Sequence, residues 1–267
     1  MFKPVIKGVI RFSYPSAGGF AKEFGSVGEH EAFLYDRARL ERRFQLFEAL
    51  TLPSLRLQTD KDFHVAVLTG ENLPDWALER LRAGLEDIPQ AKVIQQPRMN
   101  HYPATRTAFE HLPNDGATHV AGFRLDDDDA MHKNSIARIR EIASGMAEIT
   151  DISQPFALGF NRGFFLSLSD KGNRITEVRE RSPIGIGLTL VVPVAQRSNV
   201  FRRNHRLLHQ FYDCYSDVSE PMFIRTVHQD NDSGAVSTGS TKGMSDVEID
   251  TALRTGFGTD LARIQAL

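Results

Sequence analysis

The stretch THVAGFRLDDDDAMHK, residues 118–133, passes from an apolar, β-branched segment straight into four consecutive aspartates, Asp126, Asp127, Asp128 and Asp129. Residues 118–125 read as a buried strand. Adjacent carboxylates repel one another, so the chain must offset that repulsion with water, arginines, backbone donors or a metal ion. In an extended chain alternate residues face the same way. Asp126 and Asp128 are therefore expected to converge on one side, with Asp127 the aspartate turned away. Two carboxylates within ligand reach suit a hard divalent cation, Mg2+ or Mn2+, which also binds water and phosphate oxygens. The competing reading is that the run caps a following helix, where carboxylates are favoured by the helix dipole.

Upstream of this stretch, strands and helices alternate. Val5–Phe12 reads as a first strand and Ser13–Gly28 as a Gly/Ser-rich loop. From Glu31 the pattern is helical, with Leu40, Phe44, Phe47 and Leu50 on one stripe. Pro53 is expected to end or kink that helix. Phe63–Leu68 is a second strand, Pro74–Gly84 a helix, Ala91–Gln95 a third strand and Ala104–Leu112 a short helix. Ser135–Ala147 is helical again. The alternation predicts an α/β fold with a mostly parallel central sheet and helices on both faces. Such sheets bind ligands at the carboxyl ends of their strands, and the aspartates fall at one of those ends.

Beyond Asp151 the rhythm changes. Phe156–Ser167 and Ile175–Arg179 read as a hairpin around Asp170–Asn173, and Leu188–Val194 and Phe223–His228 as strands. His205–Tyr212 and about Asp246–Thr255 read as helices. Residues 231–245, small and polar, read as a mobile loop. The expectation is a single domain, 1–267, whose C-terminal half is mixed.

The 267 residues carry 32 Lys and Arg against 34 Asp and Glu, a net charge of −2. No global field draws in a polyanion, so nucleic acid is not an expected partner. The local basic clusters Arg37–Arg43 and Arg202–Arg206 read as solvated helix faces. A single cysteine, Cys214, leaves no internal disulfide and no cysteine-based zinc site, and fits a reducing compartment. The opening MFKPVIKGVIRF lacks a signal-peptide h-region, and no apolar run approaches the roughly 20 residues of a membrane span. These features predict a cytoplasmic protein, with peripheral association at a membrane surface still open to it.

LDDDDA resembles the aspartate motif of GT-A glycosyltransferases. Together with RFSY near the start, RRFQLFEALTLPSLRLQTDKDF and the later TVHQDNDS, it most resembles the rhamnosyltransferase family, over roughly residues 5–233. The resemblance implies a GT-A-like fold, with residues 1–133 binding a nucleotide-sugar donor and residues 134–267 binding a carbohydrate or lipid-linked acceptor. It implies a metal- and donor-binding pair, Asp126 and Asp128, with Asp129 in support, and Mn2+ or Mg2+ bridging the diphosphate. His228 would complete the metal shell, and Asn231 and Ser233 would contact phosphate or sugar. Arg11 and Phe12 fall where these folds begin their nucleotide pocket, Arg11 for a phosphate or sugar and Phe12 for stacking on a base or for the core. Arg106 corresponds to an arginine that meets the donor or the acidic motif, whereas strand alternation is expected to turn Arg124 away. Related enzymes often carry aspartates at the end of the second strand. Here Thr69 and Glu71 stand in that region, Thr69 for a base and Glu71 for a ribose.

An inverting transfer also needs a base for the acceptor hydroxyl. Asp213 is the candidate, ahead of Asp217, Glu220 and Asp151. Two other classes remain open on sequence. A Mg2+-dependent phosphoryl or nucleotidyl transferase also uses paired aspartates at a strand end, although the chain has no P-loop. A sugar-nucleotide-binding module without turnover would fit the altered second strand.

Overall fold

The computed structural model describes residues 1–18, 24–228, 239 and 243–267. Strand β1 (Pro4–Arg11) is followed by α1 (Val27–Leu34), α2 (Arg37–Leu46), a π-helical stretch at Phe47–Thr51 and α3 (Leu52–Arg56). Next come β2 (His64–Gly70), α4 (Asp75–Leu85), β3 (Ala91–Gln96), α5 (His101–Glu110) and β4 (His119–Asp126). β1 pairs in parallel with β2 and β4, and β2 with β3, so this half has the predicted alternating α/β form. The rest supplies β5 (Ala130–Met131), α6 (Ser135–Ile149), β6 (Phe156–Phe160), β7 (Arg162–Ser167), β8 (Arg174–Arg179) and β9 (Thr189–Pro193). β10 (Asp213–Asp217), β11 (Phe223–Val227), α7 (Asp246–Gly256) and α8 (Leu261–Gln265) complete it.

The strands form two sheets. The larger runs β10-β6-β9-β4-β1-β2-β3 and the smaller β5-β11-β7-β8. β9 runs against both its neighbours, β4 and β6, which makes the large sheet mixed. Alternation along β1 sends Ile6 and Ile10 to one face, where they meet Phe44, Leu55, Leu81 and Ile139 from the flanking helices. It sends Val9 to the other, under Ala104 and Ala108 of α5 and Phe201. Gly8 lies opposite Phe123 in the β1–β4 register, and a Cβ there would run into the ring. The missing side chain gives that aromatic its space.

Several expectations change. Pro53 does not end the helix. The chain widens into the π stretch, where the Leu52 N–H bonds back to the Phe47 carbonyl, and Pro53 then enters α3 in its first turn, where its missing N–H is tolerated. Phe156–Ser167 is not one strand of a hairpin. At Asn161 the chain leaves the large sheet for the small one, held by Asn161 N–H to the Asp217 carbonyl and Nδ2 to the Glu180 carbonyl. The hairpin is β7 with β8, around the predicted turn. His205–Gln210 is a 3-10 turn in place of a regular helix. The aspartates cap no helix: β5 follows them directly and α6 starts only at Ser135. They form the crossover from the large sheet to the small one. Among the described residues no helix is long and apolar enough to cross a membrane.

Candidate active site

The aspartate crossover sits at the carboxyl end of β4, and every one of its carboxylates is engaged. Arg11, the last residue of β1, donates from Nη2 to Asp126 Oδ1 at 2.9 Å. Arg124 donates to Asp126 Oδ2 at 3.2 Å. Arg124 is not turned away, because residues two apart on a strand share a face. Burial alone would push the Asp126 carboxyl up, but Arg124 and then Arg11 overcome it and hold it far below the usual carboxylate range.

Asp127, the aspartate expected to turn away, is buried, and its carboxylate pairs with the Arg43 guanidinium of α2, including an Nε contact of 3.3 Å to Oδ2. The same guanidinium donates from Nη1 to Asp128 Oδ2 at 3.0 Å. His228 Nε2 lies 2.9 Å from that oxygen. Against the cost of burial, Arg43 and His228 keep Asp128 below its ordinary value. Asp129 accepts from the Thr226 N–H of β11 at 2.9 Å, while its own carbonyl accepts from Thr51 Oγ1 at 2.8 Å. Burial, then the charges of Asp128 and Asp126, push Asp129 well above the usual carboxylate range. The repulsion within the run is therefore met by three guanidiniums and an imidazole, with the Asp129 carboxyl pushed toward its neutral form.

Aromatic rings lie against the arginines. The Arg11 and Arg124 guanidiniums lie 5.9 and 5.1 Å from the centre of the Phe201 ring. His101, at the start of α5, meets Phe201 edge-on. Burial, then the positive Arg11 and Arg124, push His101 down to about 3. Burial and Arg124 do the same to His205, also to about 3. Both imidazoles are neutral near pH 7. Gly185, from the loop before β9, approaches the Arg124 guanidinium so closely that a Cβ would stand 2.9 Å from its carbon.

Other expected residues lie elsewhere. Phe12 is wholly buried and packs on Phe44 and Phe47, so it belongs to the core. Thr69 ends in the buried part of β2, its hydroxyl without a partner among the described residues; Glu71 is exposed beyond it. Arg106 is on the outer part of α5, half exposed and 3.7 Å from Glu110. The arginines on the aspartates are Arg11, Arg43 and Arg124. Asp213 starts β10, level with Phe156, which faces Val191, which faces Ala121. That register puts it about 17 Å down the strand direction from Asp126 and about 14 Å across the sheet. Asp217 is buried and bound to Arg138 at 2.7 Å, and Asp151 is exposed beside Ser153. Asn231 and Ser233 lie outside the described residues.

Arg43 was hidden in a cluster read as a solvated face, yet its position carried the signal. It lies three residues after Leu40 and four before Phe47, inside the apolar stripe and not opposite it. His101, Phe201 and His205 carried no comparable mark.

A divalent cation fits part of this site. Among the described residues no group of three or more His, Cys, Asp or Glu side chains is gathered to hold one. However, Asp128 Oδ2 and His228 Nε2 stand together, 2.9 Å apart, and a carboxylate beside an imidazole is a ligand pair that suits Mn2+ better than Mg2+. Such an ion takes its remaining ligands from water and substrate phosphate. Asp126 fits less well, since both its oxygens already lie on guanidiniums, whereas the Arg43 contact to Asp128 is to Oδ2.

The family model described as "Putative rhamnosyl transferase" matches residues 5–240. No curated protein matches the chain. Among solved structures it is similar to S. aureus TarS 1-349 in complex with UDP-GlcNAc, at 13% identity over 85% of this chain and 60% of that chain, with a TM-score of 0.47. It is similar to the same protein in complex with UDP at 13% identity over 84% of this chain and 60% of that chain, with a TM-score of 0.46. The chain thus spans about 60% of the length of these TarS structures.

Proposed function

The chain belongs to this rhamnosyl transferase family, and from that premise we propose that it moves a sugar, rhamnose by the family's designation, from a nucleoside-diphosphate donor to a glycan or lipid-linked acceptor with Mn2+ or Mg2+. The transfer breaks the bond from the anomeric carbon to the diphosphate oxygen and forms one to an acceptor hydroxyl oxygen. The hydroxyl proton passes to a base or to solvent, and the nucleoside diphosphate leaves with the bonding pair.

The observation that carries this reading is the convergence on one strand end of Asp126, Asp128, His228 and three arginines. Asp128 and His228 would hold the cation, which when bound neutralises charge building on the leaving diphosphate. Arg11 and Arg124 fix Asp126 and set positive charge beside the same position. Arg43 holds Asp127 and Asp128 in place from the helix side. His101 and His205, being neutral, add hydrogen-bonding capacity without further charge.

A panel of nucleoside-diphosphate sugars, rhamnose donors included, tests it with an acceptor mixture and with Mn2+, Mg2+ or chelator. One donor is expected to release nucleoside diphosphate in a metal-dependent manner, with the rate falling at least about a hundredfold in Asp128→Asn. Turnover unaffected by chelator would remove the metal from the reading. No release from any donor would remove the reading itself.

A further inference from the structure

We propose a second ligand site, for a small organic oxyanion with an apolar body, at the end of the central sheet opposite the aspartates. There a cavity of about 300 Å3 opens between the far end of α5 and the segment that follows β9. Its floor is apolar, formed by Val120 of β4 and Val192 of β9, with Phe109 as one wall. Three cations face it, Lys7, Arg106 and Arg197, against one carboxylate, Glu110. That carboxylate is already engaged by Arg106 at 3.7 Å.

Two features show that the polar wall is built for a ligand. Asn199 is 3% exposed, and its Oδ1 accepts from the Phe201 N–H at 2.9 Å, which fixes the orientation of the amide. Its Nδ2, a buried donor, has no partner among the described residues, and neither has the neighbouring Ser198 hydroxyl. Buried donors without acceptors are rare in folded proteins, and an oxyanion supplies the acceptor. The preceding Arg197 adopts φ +48°, a conformation an L side chain rarely takes. Ser198 and Asn199, which follow that turn, line the cavity.

Lys7 completes the site from below. It is 2% exposed in the middle of β1 and donates to the Leu112 carbonyl at 2.8 Å and to Asn114 Oδ1 at 2.6 Å. An ammonium has three N–H groups, so one remains for a ligand oxygen. A charge-assisted bond to Lys7, donors from Asn199 and Ser198, and two guanidiniums at the mouth select an oxyanion. The valines and Phe109 select an apolar body behind it. The inference is independent of the glycosyl-transfer reading, because none of the residues that would hold the ligand belongs to the aspartate site.

Calorimetric titration of the full chain with phenyl phosphate and with benzoate tests it, with benzyl alcohol as the uncharged control. At least one of the two anions is expected to bind saturably, and the alcohol is not. Arg197→Gly removes the guanidinium while glycine keeps the left-handed turn. Asn199→Asp keeps the acceptor for Phe201 but replaces the donor with a carboxylate. Each should weaken binding about tenfold or more, with unfolding curves confirming that the variants remain folded. Unchanged affinity in both variants would overturn the site, as would the absence of saturable binding by either anion. Equal binding of the alcohol would overturn its anion selectivity. Loss of binding in Asp128→Asn, a change at the other end of the sheet, would overturn the site by placing the anion at the aspartate crossover instead.

Discussion

Arg43 decides whether the aspartate run is tolerable. Its guanidinium pairs with both Asp127 and Asp128 within a nearly solvent-free pocket. Arg43→Met would leave two buried carboxylates short of a partner, and breaking a buried pair by removing one member costs about 3–5 kcal/mol. Urea unfolding at pH 7 should report a loss of that order. Arg43→Lys should restore only part of it, since one ammonium cannot repeat the fork across two carboxylates. The double variant Arg43→Met/Asp127→Asn should recover some stability, because it removes one of the stranded charges. Full stability in Arg43→Met would mean that solvent, and not the arginine, screens the run. Residue by residue, the sequence told where carboxylates gather but not which cation answers each. Arg124 was legible from the two-residue spacing to Asp126 once alternation is applied to both. Phe12 was not: a phenylalanine at a strand end suits a base or a core equally, and only the facing Phe44 and Phe47 decide it.

At the scale of elements, the helix 37–56 and strand β11 fix the crossover from opposite sides. The π stretch sets Thr51 so that its hydroxyl reaches the Asp129 carbonyl, while β11 offers the Thr226 N–H to the Asp129 carboxyl. Thr51→Val keeps the shape of the side chain and removes only that donor. The carbonyl it leaves is buried, so a loss of about 1–3 kcal/mol is expected in urea unfolding. A change indistinguishable from zero would show that the π stretch does not anchor the crossover. Strands and helices of the first half were legible because each carries its own period and punctuation. The sheet switch at Asn161 was not. Both segments beside it are apolar and β-prone, and the break is made by hydrogen bonds to Asp217 and Glu180, residues far along the chain. The competing reading of the aspartates as a helix cap failed for a similar reason: two residues, Ala130 and Met131, find a strand partner in β11 that no local pattern announces.

Across the whole molecule, the candidate site is a junction of two sheets. Asp126 ends β4 of the large sheet, whereas Thr226 and His228 come from the end of β11 in the small one. A core that includes Phe123 and Leu125 of β4 together with Phe165 and Phe223 of the small sheet continues beneath the junction. A ligand gripping Arg11, Arg124, Asp128 and His228 at once would therefore tie the sheets to each other. Its binding energy should appear as stability of both. With donor and Mn2+ at a hundredfold excess over the dissociation constant, the unfolding free energy should rise by about 2.7 kcal/mol. Amide exchange should slow in β4 and in β11 together. Asp128→Asn should abolish the increment contributed by Mn2+ while leaving the metal-free effect of the donor on Arg11 and Arg124 in place. Protection confined to β1, β2 and β4 would place the donor on the large sheet alone and take His228 out of the site. Protection of both sheets without Mn2+ would show that the donor bridges the junction without a metal.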